Sequence, residues 1–319
     1  HAAFADRLTV KQVDGRPIGG WFSEDFTLAE LARLRARERV PDIRPANRVY
    51  DDAESIPTLA QVIDLVRAME TRGAGRAGLY VELKHPTYFA TEGRRLDGSP
   101  IAVDLVGLLL EALSEAGFVA GDRLFVQCFE VAPLIEFEDR QTARGWDIPL
   151  IQLFGDVDNR SYRAAPWDMV SRARRADTAV YGVLATLIRG GITEGVSYAD
   201  LAAPEVLAHL RQRYAAGIGP PRQNVLLTVP GPEGGPDLFT GTPSPLLGHA
   251  RQLGLLVHPY TLRAEAPFLL ERQGRLVTVQ EEALALLDAG VDGFFIDQPD
   301  EGRLAVLRHR TALERSPPL

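Results

Sequence analysis

The chain has 319 residues, 45% hydrophobic and 24% charged, and carries a formal net charge of −8 at pH 7. That length buries a large core and suits one large α/β domain or two smaller ones. The acidic balance excludes broad electrostatic binding to nucleic acid or to an anionic membrane surface, and the single cysteine, Cys128, excludes an intramolecular disulfide and any multi-cysteine zinc site.

Taken in chain order, the first helix signal is a capping-box pattern, Thr27 with Glu30, before Leu31 and Leu34. The polar, Pro-containing stretch from Arg39 to Asp52 reads as a loop. Pro57 suits the first turn of a helix that runs through Leu59, Val62, Ile63, Leu65 and Val66 at helical spacing. From there strands and helices alternate. Strands are predicted at Leu79 to Leu83, Leu124 to Phe129, Leu150 to Phe154, Ala216 to Gly219, Leu255 to Tyr260 and Gly293 to Asp297. Helices are predicted at Ile101 to Ala116, Glu130 to Arg140, Pro204 to Tyr214, Leu246 to Leu253, Val279 to Ala289 and from about Glu301 to His309. The stretch Pro230 to Pro245, dense in Gly and Pro, reads as a loop. No apolar run approaches the length of a membrane span, so no stable membrane insertion is expected.

Short strands alternating with amphipathic helices predict a parallel sheet wrapped by helices. No Gly-rich dinucleotide fingerprint follows any strand, which favours a (β/α) barrel over a doubly wound sheet. Without a Ser/Pro-rich linker or an internal repeat, residues 1–319 read as a single domain.

Only two of the basic residues are lysines, Lys11 and Lys84. A coding bias toward arginine accounts for the scarcity, and it makes Lys84, two residues after Glu82 at the end of an apolar run, worth attention. Residues two apart on a strand share a face, so Glu82 and Lys84 project together. The pair could hold a metal ion and a phosphate oxygen at once, although spacing alone favours an ordinary ion pair. In a barrel of this type functional groups gather at the C-terminal ends of strands. There lie Glu82 and Lys84, Gln127 and Phe129, Gln152, then His258, Tyr260 and Arg263, and finally Asp297. Each has a bland explanation: buried glutamines satisfy backbone groups, His258 suits a hydrogen-bonded core histidine, and Asp297 suits a helix cap. Together they suit an anionic, hydroxyl-bearing ligand. Cys128 is expected to point into the barrel wall. The Gly231-Pro232 and Gly234-Gly235 steps do not form a phosphate loop, because no Gly-Lys-Ser/Thr follows. His85, His209, His249 and His309 lack metal-ligand spacing and read as surface or capping residues.

The run Gly78-Leu79-Tyr80-Val81-Glu82-Leu83-Lys84-His85-Pro86 resembles the Glu-x-Lys strand of glycerophosphodiester phosphodiesterases. Asp25 to Leu31 and Ile56 to Leu59 are similar to that family's early helix starts. Val126 to Glu130, Leu150 to Leu153 and Ala216 to Pro220 resemble its fourth, fifth and sixth strands. Val257-His258-Pro259-Tyr260-Thr261-Leu262-Arg263 is similar to the seventh strand in the periplasmic bacterial branch, and Gly290 to Asp300 to the closing strand. The resemblance implies a (β/α)8 TIM barrel with strands three to eight visible in this chain. It further implies metal-dependent hydrolysis of a small-molecule glycerophosphodiester to glycerol 3-phosphate and an alcohol. The metal would be Ca2+, with Mg2+ as the alternative, and the location periplasmic or secreted. By position it makes Glu82 a metal ligand and Lys84 a phosphate-binding cation. Gln127, Phe129, Tyr260 and Phe295 would line the pocket; Gln152 and Arg263 join them from the strand-end set, and His258 is the candidate acid or base.

The sequence departs from the family pattern at its start. The His-Arg-Gly motif, the Glu-x-Asp metal pair and the His-Asp motif of the first two family strands do not occur, and His1 is no substitute. The N-terminal catalytic segment is therefore expected to lie outside residues 1–319. With Glu82 as the only carboxylate ligand, calcium affinity is expected to be poor, and six strands are expected to leave two exposed sheet edges. Two other readings stand beside the hydrolase: a non-catalytic phosphate- or glycerol-binding barrel remnant, and a metal-dependent enzyme acting on sugar phosphates.

Overall fold

The structure, a computed structural model, describes residues 2–73, 75–158, 165–233 and 235–315. His1 and Gly234, both weighed above, lie outside the described residues. Contacts divide the chain into two compact units. One comprises His1–Val126 with Asp139–Ile148, and the other Gln127–Glu138 with Pro149–Leu319.

After a short 3-10 segment at Ala2–Arg7, the first unit forms a hairpin that sequence patterning did not reveal, β1 (Thr9–Val13) against β2 (Arg16–Gly20), antiparallel. Its turn is Asp14-Gly15, with φ of +50° and +72°. Positive φ at both central residues is the geometry that matches the twist of paired strands, and Asp-Gly is its usual sequence. The predicted capping box is present: the Thr27 hydroxyl accepts from the Glu30 amide, and the Glu30 carboxylate accepts from the Thr27 amide. It opens only one turn, α1 (Leu28–Leu31). The next helix, α2 (Leu59–Thr71), is capped by Thr58 in a second box with Gln61. Pro57 therefore precedes the cap instead of forming the first turn, because Thr58 offers a side-chain acceptor that proline lacks. Then come β3 (Leu79–Leu83), α3 (Leu105–Ala116) and β4 (Leu124–Cys128). The third helix starts four residues later than predicted, where the Asp104 carboxylate accepts from the Gly107 amide, and it stops at Gly117 with φ of +58°. Val106, Leu109, Leu110 and Leu113, at helical spacing, supply its buried face.

The second unit takes in the start of α4 (Val131–Thr142), then β5 (Leu150–Leu153), α5 (Trp167–Arg174), the short turns α6 (Leu184–Leu187) and α7 (Tyr198–Leu201), α8 (Pro204–Arg213) and β6 (Ala215–Gly219). Every residue of β5 is buried, as expected of a strand covered on both faces. The strand β6 reads Ala-Ala-Gly-Ile-Gly because its neighbours close on it. A Cβ on Gly217 would stand 2.6 Å from the Leu256 carbonyl oxygen and 2.9 Å from Ile151 Cδ1.

The region Pro230 to Pro245, predicted as a loop, contains a strand. A hairpin pairs β7 (Leu226–Val229) with β8 (Leu238–Pro243), antiparallel, and helix α9 (Pro245–Gln252) follows. Cross-strand pairing overrides the low strand propensity of Gly241 and Pro243. The expected strand Leu255 to Tyr260 is regular only at β9 (Leu256–Val257). Past it, backbone hydrogen bonds continue on both sides: Tyr260 N to Pro220 O, and Phe295 N to Pro259 O. Pro259 has no amide to contribute to the ladder, which breaks the regular strand. Two further short strands, β10 (Glu271–Arg272) and β11 (Arg275–Leu276), join β8 and β7 in a four-stranded sheet. The chain closes with α10 (Val279–Ala289) and α11 (Pro299–Arg315), the last six residues longer than predicted at its C-terminal end. Gly293 to Asp297, expected as a strand, forms only an isolated parallel bridge, Leu262 with Ile296.

The main sheet has five strands in the order β3-β4-β5-β6-β9. The pairs β5–β6 and β6–β9 are parallel. Successive sheet strands sit side by side without the reversal of order that marks a doubly wound sheet. The fold class is thus α/β of the (β/α)-barrel type. No helix among the described residues is long and apolar enough to cross a membrane.

Candidate active site

Within the first unit, β3 delivers Glu82 and Lys84 to one place, as their spacing requires. The Lys84 Nζ lies 2.6 Å from Glu82 Oε2, with the lysine side chain 62% exposed and the glutamate 20%. The ion pair leaves the ammonium open to solvent and to a ligand. Directly after it, His85 takes a φ of +54°, and its Nδ1 lies 2.7 Å from Asp14 Oδ2 in the hairpin turn. His85 is therefore tied to the hairpin and is no plain surface residue. The other lysine also has a defined place: Lys11 Nζ is 2.9 Å from Glu24 Oε1 and 2.6 Å from Asp25 Oδ2. The Tyr88 hydroxyl donates to Glu24 at 2.5 Å. Tyr88 and Lys11 together hold the Glu24 carboxyl below its usual range against the opposing effect of burial. The rarity that singled out Lys84 would also have found Lys11; Tyr88 and Asp14 carried no such signal.

Within the second unit, the ends of β4, β5 and β9 assemble most of the other candidates. The Phe129 ring stands edge-on to Tyr260, centroids 5.9 Å apart, and edge-on to Tyr198 at 6.3 Å. The Tyr260 hydroxyl donates to the Phe154 carbonyl at 2.6 Å, which fixes that ring. Gln127 is nearly buried, and its side-chain oxygen has no hydrogen-bond partner among the described residues. A buried acceptor without a donor is costly in a folded protein and is an available contact for a hydroxyl-bearing ligand.

Gln152, expected to touch substrate, is wholly buried. Its amide donates to the carbonyls of Leu153 at 2.9 Å, Phe129 at 3.1 Å and Cys128 at 3.3 Å, and its oxygen accepts from the Tyr214 hydroxyl at 2.6 Å. It holds the strand end that carries Phe129 and presents no surface to a ligand. His258 is almost buried, with its ring against Gly293: a Cβ there would lie 3.2 Å from His258 Cδ2. Burial pushes this imidazole below its ordinary value, with Asp292 opposing, so the neutral form is favoured. Arg263 Nε lies 2.9 Å from Asp297 Oδ2, and its guanidinium sits over the Phe268 ring. The positive charge of Arg263 is thus matched, and Asp297 is its partner. Phe295 is placed by backbone bonds to Pro259 and Leu262. Cys128 is buried as expected, its sulfur accepting from the Glu130 amide.

A family model described as the Glycerophosphoryl diester phosphodiesterase family matches residues 1–301. The chain belongs to this family. Its class is accordingly that of a phosphodiester hydrolase. It is similar to glycerophosphodiester phosphodiesterase GDPD6 of Arabidopsis thaliana, 26% identical over 305 residues that cover 93% of this chain and 67% of that protein. It is also similar to glycerophosphodiester phosphodiesterase of Haemophilus influenzae, 26% identical over 297 residues, covering 90% and 70% respectively. Among solved structures, a glycerophosphodiester phosphodiesterase from Parabacteroides distasonis superposes with a TM-score of 0.43 at 12% identity, covering 95% of this chain and 82% of that one.

A divalent cation is associated with the family by resemblance, and the residues described here do not fit one unaided. Glu82 is a single carboxylate already paired with Lys84, and no group of three or more His, Cys, Asp or Glu placed to hold a metal occurs among the described residues. Calcium takes six to eight oxygen ligands.

Proposed function

We propose that this protein hydrolyses glycerophosphodiesters to glycerol 3-phosphate and an alcohol. The observation that carries the reading is the Glu82–Lys84 pair at the end of β3 in a member of this family, an ammonium steadied at 2.6 Å yet mostly open. Lys84 neutralises a non-bridging phosphoryl oxygen as charge builds on it. A water oxygen forms a bond to phosphorus, the bond from phosphorus to the alcohol oxygen breaks, and the water proton leaves while the alkoxide gains one. Within the second unit, His258, held neutral, is the candidate acid or base that the resemblance implies, Phe129, Tyr260 and Phe295 offer apolar contacts for glycerol carbons, Gln127 offers an acceptor for a glycerol hydroxyl, and Arg263 offers positive field balanced by Asp297. Glu82 is the one carboxylate these residues would offer to Ca2+ or Mg2+, and a bound cation would need further oxygen ligands. A periplasmic or secreted location rests on the His258-Pro259-Tyr260-Thr261-Leu262-Arg263 run.

The test is release of glycerol 3-phosphate from glycerophosphocholine by this chain, with calcium and then with chelator. Release that depends on Lys84 supports the reading. Binding of glycerol 3-phosphate without turnover would replace it with the phosphate- and glycerol-binding alternative only if a chain that also carries the His-Arg-Gly and His-Asp motifs fails to turn over. Calorimetric titration of the same polypeptide with calcium is expected to show no tight stoichiometric site, and a submicromolar, one-to-one isotherm would overturn the ligand count.

A further inference from the structure

Asp168 sits in the first turn of α5 with none of its surface exposed. Its Oδ2 accepts from the amides of Val131 at 3.1 Å and Ala132 at 2.7 Å, and from the Tyr181 hydroxyl at 2.9 Å, while Oδ1 has no hydrogen-bond partner among the described residues. Val131 and Ala132 open α4, where backbone amides have no partner within the helix and the positive end of the helix dipole favours a carboxylate. A side chain from another helix therefore caps α4 from 36 or 37 residues away. The residue two positions before Val131 is Phe129. Its carbonyl is gripped from the other side by the Gln152 amide at 3.1 Å and the Tyr198 hydroxyl at 3.2 Å. The turn between β4 and α4 is thus clamped at both ends by buried side chains.

We infer that Asp168, steadied by Tyr181, is a positioning residue for the pocket: it fixes the β4–α4 turn and thereby the Phe129 ring that faces Tyr260. The inference rests on the proposed role of Phe129 and Tyr260 in holding substrate. The carboxylate acts as an acceptor, not as a charge that touches ligand, so the amide oxygen of asparagine can replace it. Burial pushes the Asp168 carboxyl above its ordinary value, partly offset by the hydrogen bonds to Ala132, Tyr181 and Val131. That direction agrees with a site that tolerates the neutral isostere.

The experiment compares Asp168→Ala, Asp168→Asn and the milder Tyr181→Phe with the parent chain. One readout is the dissociation constant for glycerol 3-phosphate together with KM and kcat for glycerophosphocholine. The other is the Phe129 ring resonances in protein carrying labelled phenylalanine. Asp168→Ala should weaken binding and raise KM about tenfold with kcat changed far less, the size expected from losing an aromatic contact. Tyr181→Phe should fall between parent and Asp168→Ala, and Asp168→Asn should stay within about twofold of the parent and restore the ring shifts. Unmoved Phe129 resonances in folded Asp168→Ala or Tyr181→Phe would overturn the inference. So would an Asp168→Asn chain as impaired as Asp168→Ala. The ring readout needs no substrate. A parent chain that binds no glycerol 3-phosphate would count against the proposed function, while the resonances would still decide the clamp.

Discussion

Replacing Gln152 by leucine tests whether the end of β5 holds Phe129 through buried polar contacts. The substitution keeps apolar volume and removes an acceptor for the Tyr214 hydroxyl at 2.6 Å, along with the amide that serves the carbonyls of Leu153, Phe129 and Cys128. The Tyr214 hydroxyl, inside the second unit and raised in pKa by burial, would be left without that acceptor, at about 1–3 kcal/mol. Each of the two amide hydrogens adds about 1 kcal/mol, so the substitution should cost about 3–5 kcal/mol in all. Tyr214→Phe alone strands the Gln152 oxygen and should cost about 1–2 kcal/mol. The double variant removes both partners together, and should be about 1–2 kcal/mol more stable than the sum of the single losses. Guanidinium unfolding of the four proteins measures each value from the midpoint and slope. Additive losses within about 0.5 kcal/mol, or a Gln152→Leu cost below about 1 kcal/mol, would refute the reasoning.

Three other perturbations probe separate links. For His258 the folded form favours the neutral ring, so its contribution to stability is complete above the unfolded value of about 6.5 and is lost as pH falls through the lower folded value. His258→Asn should flatten the loss of stability on acidification below about pH 6.5, seen as a smaller drop in unfolding midpoint, and equal slopes would contradict this. Lys84→Ala should change stability by less than about 1 kcal/mol, since the lysine side chain is mostly exposed, while binding of glycerol 3-phosphate falls at least about tenfold. Unchanged affinity in a calorimetric titration would remove Lys84 from the site. Gly217→Ala should lower the unfolding free energy by about 1–3 kcal/mol, because the new Cβ meets the Leu256 backbone and the Ile151 side chain, and a neutral result would mean those strands can part.

Local chemistry determined much of this protein from the sequence by itself. The capping box at Thr27, in a short turn, and helix periodicity in α3 and α10 are properties of a few neighbouring residues, and so is the box at Thr58, although Pro57 drew the sequence reading away from it. So is the meeting of Glu82 with Lys84, which a strand imposes on any residues two apart. The family itself was also legible, because its strand-end motifs are short and contiguous. Tertiary structure alone decided what depends on partners distant in the chain. The β7–β8 pairing made a strand out of a Gly- and Pro-rich stretch. Gln152 became a buried support because Tyr214, 62 residues away, takes its oxygen. Asp168 gained its partners the same way, from Val131, Ala132 and Tyr181. A side chain's role follows from which groups remain unsatisfied around it. Neighbours in sequence settle that for a helix cap, and only the packed fold settles it for a buried amide or carboxylate.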